Sequence, residues 1–151
     1  ADIMMEKENT SNQKIDGLGF EENEKIRKAI EKYSTAVTIK YLENEGFNVH
    51  EYNEQKQKIC AYEPYDLLAY KNGSEFYVEV KGTRSLGTQV IFTKNEVKLH
   101  QESNNVILSV VHSIQISEKL TAVENSGEIS LYNPWKIDQT KLTAISYYYK
   151  F

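Results

Sequence analysis

Apolar residues at Ile26, Ala29, Ile30, Tyr33, Val37 and Tyr41 recur every three or four positions, which predicts an amphipathic helix from about Glu21 to Glu45. Gly46 follows directly and suits the left-handed cap that ends such a helix. The period then drops to two. Phe47-Asn-Val-His-Glu-Tyr52 alternates, and Tyr65–Lys71 and Glu75–Lys81 each read as a strand. Val106–Val111 is a continuous apolar run, expected to form a buried strand reaching Ile116. Leu131–Trp135 reads as a strand end broken by Pro134, and Ile145–Phe151 as a last strand. Thr93-Lys-Asn-Glu96 is a capping box and marks a second helix start. Residues 1–19 are polar and aperiodic and read as a flexible segment or linker before a domain over 20–151; residues 53–63 read as a polar connection. Helix, strands, helix, strands predicts an α/β fold with a mixed central β-sheet flanked by helices.

One turn sets a register. Asn72-Gly73 lies between two strand-like runs, and Asn-Gly is the strongest short hairpin signal because a type I′ turn needs positive φ at both central residues. Asp66 lies six residues before Asn72 and Glu79 six after Gly73, so the two carboxylates should oppose each other on one sheet face. Lys81 follows two residues on, on the same face. Like charges in that position repel. Leu67, Ala69, Phe76, Val78 and Val80 fill the other face, and Leu68 and Tyr77 make the acidic face partly apolar, as in interior strands. Buried carboxylates resist ionisation unless paired or bound to a cation. Neutralisation by Lys81 in a surface ion pair is one reading. A bound cation is the other, and two carboxylates with a nearby lysine suit magnesium-dependent phosphodiester hydrolysis.

The 151 residues fit one domain, with 40% hydrophobic and 26% charged positions as in ordinary globular chains. Cys60 is the sole cysteine, so no internal disulfide forms and a reducing, intracellular compartment is expected. No apolar run approaches a membrane span, and His50, His100 and His112 are dispersed without zinc spacing, as structural or surface histidines are. A net charge of −4 argues mildly against a nucleic-acid binder, yet the charge is uneven. Lys71, Lys81, Arg84, Lys94 and Lys98 outnumber Glu75, Glu79 and Glu96 around the carboxylate pair.

Tyr65-Asp66 with Glu79-Val80-Lys81, preceded by Pro64, resembles the active-site signature of the PD-(D/E)XK nuclease superfamily. More narrowly, Tyr-Asp-Leu, then Tyr-Val-Glu-Val-Lys-Gly-Thr, then Phe92-Thr-Lys-Asn-Glu96 is similar to the nuclease-like domain at the C-terminus of the plant protein NO VEIN and in bacterial restriction and defence proteins. The resemblance runs from about Glu31 to Ile114. It implies a restriction-endonuclease-like fold, with Asp66, Glu79 and the Val80 carbonyl holding Mg²⁺ (Mn²⁺ substituting) and Lys81 orienting or polarising the attacking water. Relatives carry a glutamate on the first helix; the matching position here is Thr35, and Glu31 one turn earlier is the candidate substitute, with a solvated helix charge as its alternative.

Thr83, Arg84, Lys94 and Lys98 are candidate DNA contacts by their closeness to the motif, against solvated side chains and, for Thr83, a turn role. Asn95 and Glu96 read as capping residues rather than chemistry. The resulting expectation is a DNA endonuclease domain within a larger restriction or defence protein. Its partners would be DNA, other domains or subunits of that protein, or a second copy in a homodimer, and no membrane. The alternatives are a catalytically inactive nuclease-fold module binding nucleic acid or a protein, and a purely structural interaction domain.

Overall fold

Asn72 and Gly73 both hold positive φ, +51° and +78°, and turn the chain back on itself in a two-residue hairpin. A computed structural model of the chain describes residues 2–4, 17–51 and 65–151. The hairpin strands are β3 (Leu67–Lys71) and β4 (Ser74–Thr83), paired from Lys71↔Ser74 to Leu67↔Val78. The two flanking strands are β2 (Asn48–Glu51), antiparallel to β3, and β5 (Val106–His112), parallel to β4. Antiparallel β6 (Glu128–Tyr132) follows β5. The order β2-β3-β4-β5-β6 makes a mixed sheet with β4 at its centre. A sixth strand, β1 (Asp2–Met4), runs parallel to Lys81–Thr83 on the edge that β3 leaves vacant. The opening residues thus include sheet, where the sequence suggested only linker.

Helix α1 (Gly17–Asn44) begins four residues earlier than its apolar pattern implied. Its end is a Schellman motif: Gly46 holds φ +92°, Gly46 N–H donates to Glu43 O, and Phe47 N–H donates to Leu42 O at 3.0 Å. Leu42 packs with Leu67, Ala69, Val78, Val80 and Ile107, and Ile30 with Val111 and Ile114. Alternate residues of the central strands therefore face α1. A buried polar seam runs through this contact. Thr38 Oγ1 donates to Ser34 O and lies 2.7 Å from Ser109 Oγ, so the Ser109 hydroxyl supplies that second proton.

The other residues of β4, namely Tyr77, Glu79, Lys81 and Thr83, point to the opposite face. Helix α2 (Lys94–Glu102) lies on that side, reaching in through Glu96 and His100. It carries the crossover that a parallel β4–β5 pair requires. Its capping box forms as expected: Thr93 Oγ1 accepts from Glu96 N–H, and Thr93 N–H donates to Glu96 Oε1.

Two predicted strands change. β5 ends at His112 because Ser113 adopts φ +58°, and Ile116 makes only a single bridge to Ala122. Ile145–Phe151 forms no strand; its aromatics are exposed and none pairs with the sheet. Tyrosine-rich composition favours a strand but cannot supply a partner edge. Among the described residues no helix is long and apolar enough to cross a membrane. Cys60, Pro64 and the 53–63 connection lie outside the described residues.

Candidate active site

The register set by the turn carries Asp66 to the head of β3 and Glu79 to the middle of β4. Asp66 leaves the regular ladder: its N–H donates to Val78 O at 2.9 Å, and its Oδ2 accepts from Val80 N–H at 2.8 Å. In a strand, a residue's N–H and C=O point to the same edge. The Val80 carbonyl therefore faces the Asp66 edge too, where β1 joins β4 at Asp2↔Lys81.

Glu79 and Lys81 are each only 1% exposed. They pair in register with Leu108 and Val110 of β5, both buried and apolar. Lys81 Nζ stands 3.3 Å from Glu79 Oε1, within ion-pair range but off the hydrogen-bond line. Neither carboxylate oxygen of Glu79 has a hydrogen-bond partner among the described residues. Burial, then the charge of Asp66, pushes the Glu79 carboxyl well above the usual carboxylate range; Lys81 opposes this and Glu96 adds to it. A desolvated carboxylate beside another, with no donors of its own, is a site in search of positive charge.

Helix α2 supplies what sequence reasoning missed. Glu96 Oε1 accepts from Lys81 Nζ at 3.0 Å and from Thr93 N–H at 2.9 Å, so one oxygen both caps the helix and holds the lysine. Phe92 places its ring 5.0 Å from the same ammonium. One turn beyond Glu96, His100 is fully buried, its ring set edge-on to Phe92. His100 Nδ1 accepts from Trp135 Nε1, and since an indole only donates, the neutral imidazole carries its proton on Nε2. Burial, then Lys81, lowers its pKa to about 4. The only signals available were the capping box for Glu96 and the four-residue spacing to His100, both satisfied by local explanations.

The remaining candidates separate. Glu31 is exposed on α1, which packs on the other face of the sheet, with Lys28, Lys32 and Thr35 around it. It does not join Asp66 and Glu79, because Ile30 and Ser34 are the residues that α1 turns inward. Thr83 is buried, and its hydroxyl is engaged with Ser85 Oγ at 2.8 Å and Ser85 N–H at 3.0 Å; it is a turn residue rather than a surface contact. Lys94 and Lys98 are exposed one turn apart on α2, and Arg84 is half-buried in the loop after β4.

The donor chemistry fits a hard divalent cation in part. Asp66 and Glu79 supply carboxylate oxygens, and the orphaned oxygens of Glu79 are what such an ion would satisfy, while the Val80 carbonyl faces the edge on which β1 pairs. Among the described residues no three His, Cys, Asp or Glu side chains gather as a ligand set. Magnesium tolerates that, since it commonly takes one or two carboxylates and keeps water or substrate oxygens.

A family model described as "Protein NO VEIN, C-terminal" matches residues 30–123, more than half of the chain. The chain belongs to that family. Asp66, Glu79, Lys81, Glu96 and His100 all fall within the matched span, whereas Trp135 lies beyond it. Comparison with the curated proteins and with the solved structures gives no match.

Proposed function

We propose that this NO VEIN C-terminal domain is a Mg²⁺-dependent deoxyribonuclease of PD-(D/E)XK type, the effector part of a larger restriction or defence protein. The observation that carries this reading is Glu79: a carboxylate 1% exposed, both oxygens without a hydrogen-bond partner among the described residues, beside Lys81 and under the charge of Asp66. Asp66, Glu79 and the Val80 carbonyl hold the cation, with Mn²⁺ able to replace Mg²⁺. Bound Mg²⁺ supplies a water of lowered pKa and offsets charge on the phosphate. Lys81 adds its ammonium where negative charge develops. Lys94, Lys98 and Arg84 meet duplex phosphates in this reading, contacts that position without reading sequence.

A second reading draws on a specific observation. Lys81 is as buried as Glu79 and already ion-paired with Glu96, as a catalytically inactive module binding nucleic acid or a protein would leave it.

Substitution with two readouts decides between them. The nuclease reading expects Asp66→Ala and Glu79→Ala to abolish Mg²⁺-dependent cleavage of DNA while the fold persists. Lys81→Ala should bind DNA in Ca²⁺ nearly as the unsubstituted protein does, yet lose about 10²-fold or more in cleavage rate. Cleavage retained in Glu79→Ala, or unaffected by a chelator, would exclude this chemistry. An unsubstituted protein that binds DNA but cuts none would favour the inactive module.

A further inference from the structure

Lys81 sits between two carboxylates whose surroundings differ. Glu79 lies within β4, flanked by Leu108, with no hydrogen-bond donor on either oxygen among the described residues. Glu96 comes from another element, and its Oε1 is fixed from behind by Thr93 N–H at 2.9 Å. That backbone bond orients the carboxylate independently of the lysine. Phe92, just before the cap, closes over the ammonium from a further side.

We infer that Glu96 is a positioning residue of this site, holding the Lys81 ammonium in place so that Glu79 is left to a cation. The inference rests on the nuclease reading of Lys81. If the oxygens of Glu79 serve an ion, they no longer hold Lys81, and an ammonium beside a cation would be repelled from its place. Glu96, 3.0 Å from the ammonium and anchored by Thr93 N–H, keeps it there. The capping box itself does not need a charge, because glutamine caps as well as glutamate. A glutamate at this position thus does something beyond starting the helix.

The same exchange supplies the test. Glu96→Gln keeps an acceptor for Thr93 N–H, so α2 should form normally, but the ion pair between Lys81 and Glu96 is lost. Thr93→Ala does the reverse, removing half of the cap while leaving the pair. The first readout needs no activity: the ammonium resonance of Lys81, visible by NMR when the group is held and slow to exchange. It should persist in Thr93→Ala and vanish in Glu96→Gln. The second readout is cleavage, with DNA affinity measured separately in Ca²⁺. Glu96→Gln should lose about 10–100-fold in kcat with affinity within about twofold, the usual scale for a group acting through another. Thr93→Ala should melt at lower temperature yet cut at nearly the full rate. A Lys81 signal and kcat both unchanged in Glu96→Gln would overturn the inference. If the unsubstituted protein cuts no DNA, the nuclease reading fails, and the NMR signal alone decides whether Glu96 holds Lys81.

Discussion

Glu79 is held where a carboxylate is poorly solvated, and that burden is measurable. Burial and the neighbouring Asp66 raise its pKa well above 4.5 in the folded chain, whereas the unfolded chain ionises near that value. Above about 4.5 the unfolded state therefore binds fewer protons than the folded one, and stability falls as pH rises toward the raised pKa. Glu79→Gln removes the titration. It should match the parent protein below about pH 4.5 and exceed it at alkaline pH by about 1–3 kcal/mol, the cost of an unsatisfied buried polar group. Urea unfolding across the pH range checks this; a variant less stable at every pH would mean the carboxylate is well paired. Asp66, Glu79 and Lys81 were legible as a group because a single Asn-Gly turn fixes the spacing of everything on the hairpin. Glu96 and His100 were not. Each already had a sufficient local role, and their partners, Lys81 and Trp135, are set by how α2 crosses the sheet.

At the level of elements, Gly82 shows why Lys81 sits where it does. The residue after Lys81 turns toward α1, and a Cβ there would lie 2.7 Å from Ser34 Oγ, 2.8 Å from Ser34 Cβ and 2.9 Å from Ile30 Cγ2. All three contacts are to fully buried side chains of α1, so the clash is relieved only by lifting α1 from the sheet. Gly82→Ala should destabilise the domain by about 1–3 kcal/mol, as overpacking does. Chemical denaturation measures it; a neutral outcome would mean that α1 slides freely on this face. The elements legible in sequence are those that carry their own start and stop signals. Helix α1 has Gly46, the hairpin Asn72-Gly73, and α2 the Thr93–Glu96 box. Strand β1 has no such marks; three residues become a strand only because β4 offers an edge beyond Leu67. The tyrosine-rich end fails as a strand for the converse reason, since it has the composition without an edge.

Across the whole molecule, cation binding and folding should be linked. The proposed site forms only when β3 and β4 are paired and α1 and α2 cover both faces, so an ion held by Asp66 and Glu79 would bind the folded chain and not the unfolded one. Such a ligand stabilises by about 2.7 kcal/mol when present at a hundredfold excess over its Kd. For a domain of this size, each 1 kcal/mol moves Tm by roughly 2–4 °C. Saturating Mn²⁺ or Mg²⁺ should therefore raise Tm by about 5–10 °C. The net charge of −4 makes a control necessary, because acidic surface groups such as Glu43 on α1 and Glu45 just after it attract divalent ions without a built site. The Asp66→Ala, Glu79→Ala double variant keeps those surface charges and loses the site. Calorimetric melts of both proteins, with and without the ion at fixed ionic strength, should show the shift in the parent alone. An equal shift in the double variant would place the ion on the surface and remove the cation from the interior of the hairpin.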